Sequence, residues 1–118
     1  MTTESTSESS TVTPTEPVSI DSQAELDDLV ADGVVLADFY ADWCGPCQML
    51  EPVVEKLAAE TDATVAKVDV DANQRLASAY GVRGVPTLVL FADGEQVEEI
   101  VGLQGEDQLR SMIENYTE

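Results

Sequence analysis

Seven consecutive residues, Val34–Tyr40 (VVLADFY), are apolar apart from one acid, Asp38. A strand of that composition has no polar face to turn to water, so it must be covered on both sides, as strands are inside parallel sheets layered between helices. The neighbouring pattern supplies those helices. Ser22 and Glu25 form a capping-box signature, and Leu26, Leu29 and Val30 then recur at helical spacing until Gly33. Beyond the strand, a helix is predicted from Cys44 to Glu60, with Met49, Leu50, Val53, Val54 and Leu57 turned inward and a kink at Pro52. Residues 64–70 (TVAKVDV) alternate as a strand. Asp71 and Gln74 offer a second capping pair for a short helix ending at Tyr80 and Gly81. Residues 87–91 and 96–101 read as strands joined by an Asp93-Gly94 hairpin turn, and residues 106–116 place Leu109, Met112 and Ile113 on one face of a last helix. This order predicts an α/β fold: a central mixed β-sheet, parallel in its first half and antiparallel at the hairpin, with helices on both faces.

At 118 residues the chain fits one domain. Residues 1–17 are mostly Ser, Thr, Glu and Pro and are expected to form a disordered acidic tail, leaving residues 18–118 as the folded unit. The tail has neither the basic start nor the apolar stretch of a secretory signal, so a cytoplasmic location is expected, and no apolar run approaches the roughly 18 residues of a membrane span. Five Lys and Arg stand against 24 Asp and Glu, for a formal charge of −19. Such a surface repels phosphate backbones and anionic membranes, which argues against nucleic acid or lipid as a ligand. It also keeps a protein hydrated where salt screens charge over a few ångströms, which predicts a halophilic, archaeal cytosol.

With no histidine in the chain, the usual general base and the usual metal ligand are both missing. The chemistry is left to Cys44 and Cys47, the only two cysteines, in the segment Trp43-Cys44-Gly45-Pro46-Cys47 where the buried strand ends and the second helix begins. A helix start presents unpaired N–H groups and the positive end of the dipole, and both stabilise a thiolate. Cys44, at the first exposed position, is therefore expected to have a lowered pKa and to be the nucleophile, with Cys47 deeper and nearly one turn on. Pro46 suits the first helical turn, where its missing N–H is not needed. Two plainer readings compete. A structural disulfide across so short a loop would add little stability, and a zinc site would need two more ligands that neither His nor Cys can supply.

The segments ADFYADWCGPC and GVRGVPT and the glycine of IVGLQG resemble the thioredoxin family from about Val18 to the C-terminus. The resemblance implies a central sheet flanked by four helices and reduction of protein disulfides, with electrons returned by a thioredoxin reductase, no bound cofactor and no metal. A monomer acting on disulfide-containing substrate proteins is expected. By the same resemblance Cys44 is the attacking thiol and Cys47 the resolving one. Asp38 is the buried acid that accepts the Cys47 proton, its pKa raised by desolvation, and Lys67 is the lysine beside it. Pro86 is the family's cis-proline, Val85 offers its backbone to an extended substrate, and Trp43, Val85 and Gly102 surround the reactive sulfur with an apolar docking surface. Asp38 could instead be a structural acid paired with Lys67, Pro86 a strand-edge proline, and Trp43 and Gly102 ordinary core and turn residues. Gln48 and Tyr40 depart from the pattern, standing where many relatives have a basic residue and Trp. Two other functions remain beside the reductase: a disulfide oxidase or isomerase, and a partner-binding subunit that uses the surface around Trp43 without turnover.

Overall fold

The computed structural model describes residues 13–117. Its elements run β1 (Val18–Ser19), α1 (Gln23–Val30), β2 (Val34–Tyr40), α2 (Gly45–Glu60), β3 (Thr64–Asp69), α3 (Gln74–Ala79), β4 (Thr87–Ala92), β5 (Glu95–Val101) and α4 (Glu106–Thr117). The five strands form one sheet in the order β1-β3-β2-β4-β5. β3 is parallel to β1 and β2, while β4 is antiparallel to β2 and β5. The expected mixed sheet is therefore present, with β2 at its centre. The two-residue strand β1 was not expected; it is too short to show alternation, and its pairing with β3 at Val18↔Ala66 and Ser19↔Lys67 is a purely tertiary contact.

Alternation along β2 divides the core. Val35, Ala37 and Phe39 face α1 and α3 together with Leu26, Val30, Leu76 and Ala77. Leu36 faces the other side, with Leu50, Val54, Leu57 and Ala58 of α2 and Leu109 and Ile113 of α4. Asp38 and Tyr40 share that second face by the period of two in a strand. Two helices thus cover each face, and each fully buried Leu contributes about 1.5–3 kcal/mol, well above the contribution of any one cap or ion pair.

Met49 departs from the expected inner face of α2 and is exposed. The helix buries Leu50, Val54, Leu57 and Ala58, a stripe at i, i+4, i+7 and i+8, and Met49 lies ~100° away from Leu50 around the axis. α2 runs unbroken past Pro52 to Glu60. The second capping pair also fails: Asn73 is the N-cap of α3 and makes no side-chain cap bond, while Asp69 Oδ1 accepts from the N–H groups of Asp71 and Ala72 at 2.9 and 3.3 Å. The first pair forms as expected, with Ser22 Oγ accepting from Glu25 N at 3.1 Å and Glu25 Oε1 from Asp21 N at 2.8 Å. Ser22→Ala is expected to cost about 1 kcal/mol, read as a shift in the urea midpoint without a change in slope.

The hairpin turn is built from Asp93 (φ +50°) and Gly94 (φ +89°), the two positive values that a type I′ turn requires. It is anchored to the α1–β2 loop by a reciprocal pair: Gly33 N donates to Asp93 Oδ1 at 2.9 Å and Asp93 N to the Gly33 carbonyl at 2.8 Å. Of the expected tail, residues 1–12 lie outside the described residues; at residue 13, Thr13 Oγ1 donates to the Asp62 carbonyl at 3.5 Å.

Candidate active site

Cys44 is the N-cap residue of α2, and Cys47 lies in its first turn. Their sulfurs are joined in a disulfide with the Cα atoms 5.2 Å apart. The backbone N–H of Cys47 donates to Cys44 Sγ at 3.2 Å. This contact distinguishes the two sulfurs, because the helix start directs an unpaired donor at Cys44. The expectation that Cys44 is the exposed member is not met: both cysteines are 4% exposed, packed with Ala41 and flanked by Tyr40, Val70 and Val85. Position on the helix, rather than exposure, separates the two. Gly45 and Pro46 form the first turn between them.

Trp43 is 71% exposed, which excludes a core role, and its Nε1 donates to Asp71 Oδ2 at 2.8 Å. The carboxylate that failed to cap α3 therefore holds the indole beside the cysteines. A groove of about 180 Å³ follows, lined by Trp43, Val70, Val82, Arg83, Gly84 and Val85. The Val85–Pro86 peptide is cis. Gly102 (φ +100°) is not in the groove lining; it meets the site through its N–H, which donates to the Pro86 carbonyl at 2.9 Å. Spacing pointed Asp71 to a capping role and not to Trp43, which lies 28 residues away in sequence.

Asp38 is 1% exposed on the face covered by α2, and its Oδ1 has no hydrogen-bond partner among the described residues. Burial pushes its carboxyl up to about 6, with the Lys67 ammonium opposing and Glu51 adding to the rise. Lys67 stands beside Asp38 in the β2–β3 register, as the family resemblance implied. Its ammonium, however, pairs with Glu51 of α2 and lies 4.3 Å from the centre of the Tyr40 ring. The competing reading of a direct Asp38–Lys67 ion pair is not seen among the described residues, where Lys67 pairs instead with Glu51, a residue the sequence did not single out.

A family model described as thioredoxin matches residues 17–115. The chain belongs to the thioredoxin family. A thioredoxin from Chlamydia muridarum is 50% identical over 100 residues, which cover 84% of this chain and 98% of the relative. One from Staphylococcus saprophyticus is 44% identical over 95 residues, covering 79% and 91%. Among solved structures, a mutant thioredoxin from Halobacterium salinarum NRC-1 is 73% identical with a TM-score of 0.88, covering 92% of this chain and 96% of that one. The thioredoxin of Schistosoma mansoni is 30% identical with a TM-score of 0.79, covering 86% and 96%. The chain has the thioredoxin fold, a five-strand mixed sheet with four helices. Its activity is protein-disulfide oxidoreduction carried by the Cys44–Cys47 pair. Membership of the thioredoxin family implies a thioredoxin reductase and substrate proteins as partners.

Proposed function

We propose that this thioredoxin works as a reductase in which Cys44 attacks and Cys47 resolves. The observation that carries the assignment is the Cys47 N–H directed at Cys44 Sγ, which stabilises negative charge on that sulfur when the pair is reduced. The Cys44 thiolate attacks a substrate disulfide, forming a mixed disulfide and releasing one substrate thiolate. Cys47 then loses its proton to the Asp38 carboxylate and attacks Cys44 Sγ, which closes the Cys44–Cys47 disulfide and releases the second substrate thiolate. Two electrons pass to the substrate, and a thioredoxin reductase returns them. Burial of Asp38 supports this role, because a carboxyl held near 6 is ionised at neutral pH yet more basic than an ordinary aspartate.

Substrate docking is assigned to the groove. Trp43 and Val85 give it apolar walls, and Pro86, held from behind by Gly102, follows Val85. An extended substrate segment pairs with the Val85 backbone while its disulfide faces Cys44. Trp43→Ala is expected to lower kcat/KM for a protein disulfide about tenfold, within the range for losing an aromatic interface contact, and to leave reduction of a small aromatic disulfide nearly unchanged. Equal losses on both substrates would remove the docking role. Full turnover with thioredoxin reductase, lost in Cys44→Ser, tests the reductase against the partner-binding subunit.

The catalytic unit is residues 18–118, with residues 1–17 outside it, acting as a monomer without nucleic acid or membrane as a ligand. The excess of 19 negative charges supports the last two points and a halophilic setting. A thiol pair that must be returned to the reduced state after each turnover fits the reducing cytoplasm. Among the described residues no helix is long and apolar enough to cross a membrane.

A further inference from the structure

We propose that Glu51 is a positioning residue that holds the Lys67 ammonium away from Asp38 and so keeps Asp38 without an ionic partner, basic enough to take the Cys47 proton. The inference rests on the reading of Asp38 as proton acceptor and adds the group that sets its strength.

Three observations meet at Lys67. Its backbone stands beside Asp38 in register, so a four-carbon side chain with a mobile ammonium starts next to the buried carboxylate. Its side chain is largely buried, yet the ammonium is directed to the half-exposed Glu51 and over the Tyr40 ring. Asp38 Oδ1, fully buried, is left with no partner among the described residues. A buried carboxylate next to a lysine would ordinarily take the ammonium for itself, because an unpaired buried charge is the costlier one. Glu51 is half-exposed to water and offers the ammonium a pair at the surface, where little further desolvation is needed.

The charged and titratable groups around this pair are few. β2 brings Asp38 and Tyr40, β3 brings Lys67 and, at its end, Asp69, and α2 brings Cys47 and Glu51. Glu55 and Glu16 line the opening of about 410 Å³ outside Lys67. From β4 the residue in register with Asp38 is Leu88, which is apolar and buried. Lys67 is therefore the cation in this set, and its choice between Asp38 and Glu51 decides whether Asp38 titrates as a lone buried acid or as half of an ion pair. Burial is the largest cause of the raised Asp38 pKa, with the Lys67 charge lowering it and the Glu51 charge raising it directly, so the test must separate steering from that direct effect.

The test titrates the Asp38 carboxyl by carbon-13 NMR in the disulfide form at fixed ionic strength, in the parent protein, Glu51→Gln, Lys67→Met and the double variant. Glu51→Gln is expected to move the Asp38 midpoint down by about one pH unit, at the low end for a carboxylate gaining a cationic neighbour. Lys67→Met moves it up. In the Lys67→Met background, Glu51→Gln is expected to keep less than about a third of its effect, since the charge it steered is gone. An unmoved midpoint in Glu51→Gln overturns the proposal. So does an equal shift with and without Lys67, which would reduce Glu51 to a neighbouring negative charge. In parallel, the rate at which Cys47 resolves a mixed disulfide is followed against pH. The acid limb should move down with the NMR midpoint while the neutral plateau falls a few-fold, as a weaker base accepts the proton. If the NMR midpoint moves and the rate profile does not, Asp38 is not the proton acceptor and the earlier reading fails, while the steering by Glu51 stands.

Discussion

With Cys47 replaced by serine, the protein is expected to accumulate as mixed disulfides joined through Cys44, while Cys44→Ser accumulates essentially none. The asymmetry follows from the helix start. Cys44 caps α2 and receives the N–H of residue 47, a backbone donor that survives the substitution, so the attacking thiolate keeps its stabilisation after the resolving sulfur has been removed. The first exchange then proceeds and the second cannot. Steady-state turnover of a protein disulfide falls by at least ~10³-fold in either variant, as expected when one member of a unit acting in sequence is lost. Non-reducing electrophoresis with mass-spectrometric mapping of the linked peptide separates the variants, and equal trapping by both would reverse or abolish the assignment. The two cysteine residues are equally buried when joined, so exposure in the disulfide form does not distinguish them.

Asp38→Asn is expected to stabilise the disulfide form by about 2 kcal/mol at pH 7.5 and by nothing, or less than nothing, at pH 4. Desolvation holds the folded carboxyl at about 6, against 3.8 for an ordinary aspartate. Below 3.8 the group is protonated in both states and costs the fold nothing. As pH rises from there to about 6 the unfolded chain gives up its proton first, so stability drains away by about 3 kcal/mol at 1.36 kcal/mol per unit, and above 6 the loss is constant. An amide does not titrate and lacks this slope. Its buried NH₂ without a partner offsets about 1 kcal/mol of the gain, which leaves about 2 at neutral pH. Urea unfolding at fixed potassium chloride, at pH 4 and pH 7.5, reads the difference directly. A gap of the same size at both pH values would show that Asp38 is not buried as a titrating acid. Resolution of the mixed disulfide by Cys47 should be slowed in the same variant, with the first attack by Cys44 much less affected.

The two cysteines, their place at a helix start and the acid inside the preceding strand were all legible in one dimension. Each depends on a local rule: a period of two or of 3.6, a cap, a turn dipeptide. Asp93-Gly94 formed its turn because those two residues tolerate positive φ wherever they sit. The local rules failed where a competing tertiary partner was better placed. Asp71 had the right spacing to cap α3, yet its carboxylate bonds the Trp43 indole and Asp69 supplies the turn. Met49 was one residue off a stripe whose orientation is fixed by the sheet beneath it, not by helical periodicity.

By itself, then, the sequence determined the element order, the layered sheet and the identity of the redox pair, because burial of VVLADFY and the chemistry of two thiols with no histidine leave few alternatives. Only the tertiary structure decided which charges meet. Lys67 begins beside Asp38 in the β2–β3 register, but its ammonium ends on Glu51, 16 residues back and on a different element. A side chain with four rotatable carbons can reach several carboxylates, and the one it takes is set by their relative desolvation in three dimensions, a quantity that sequence spacing does not encode.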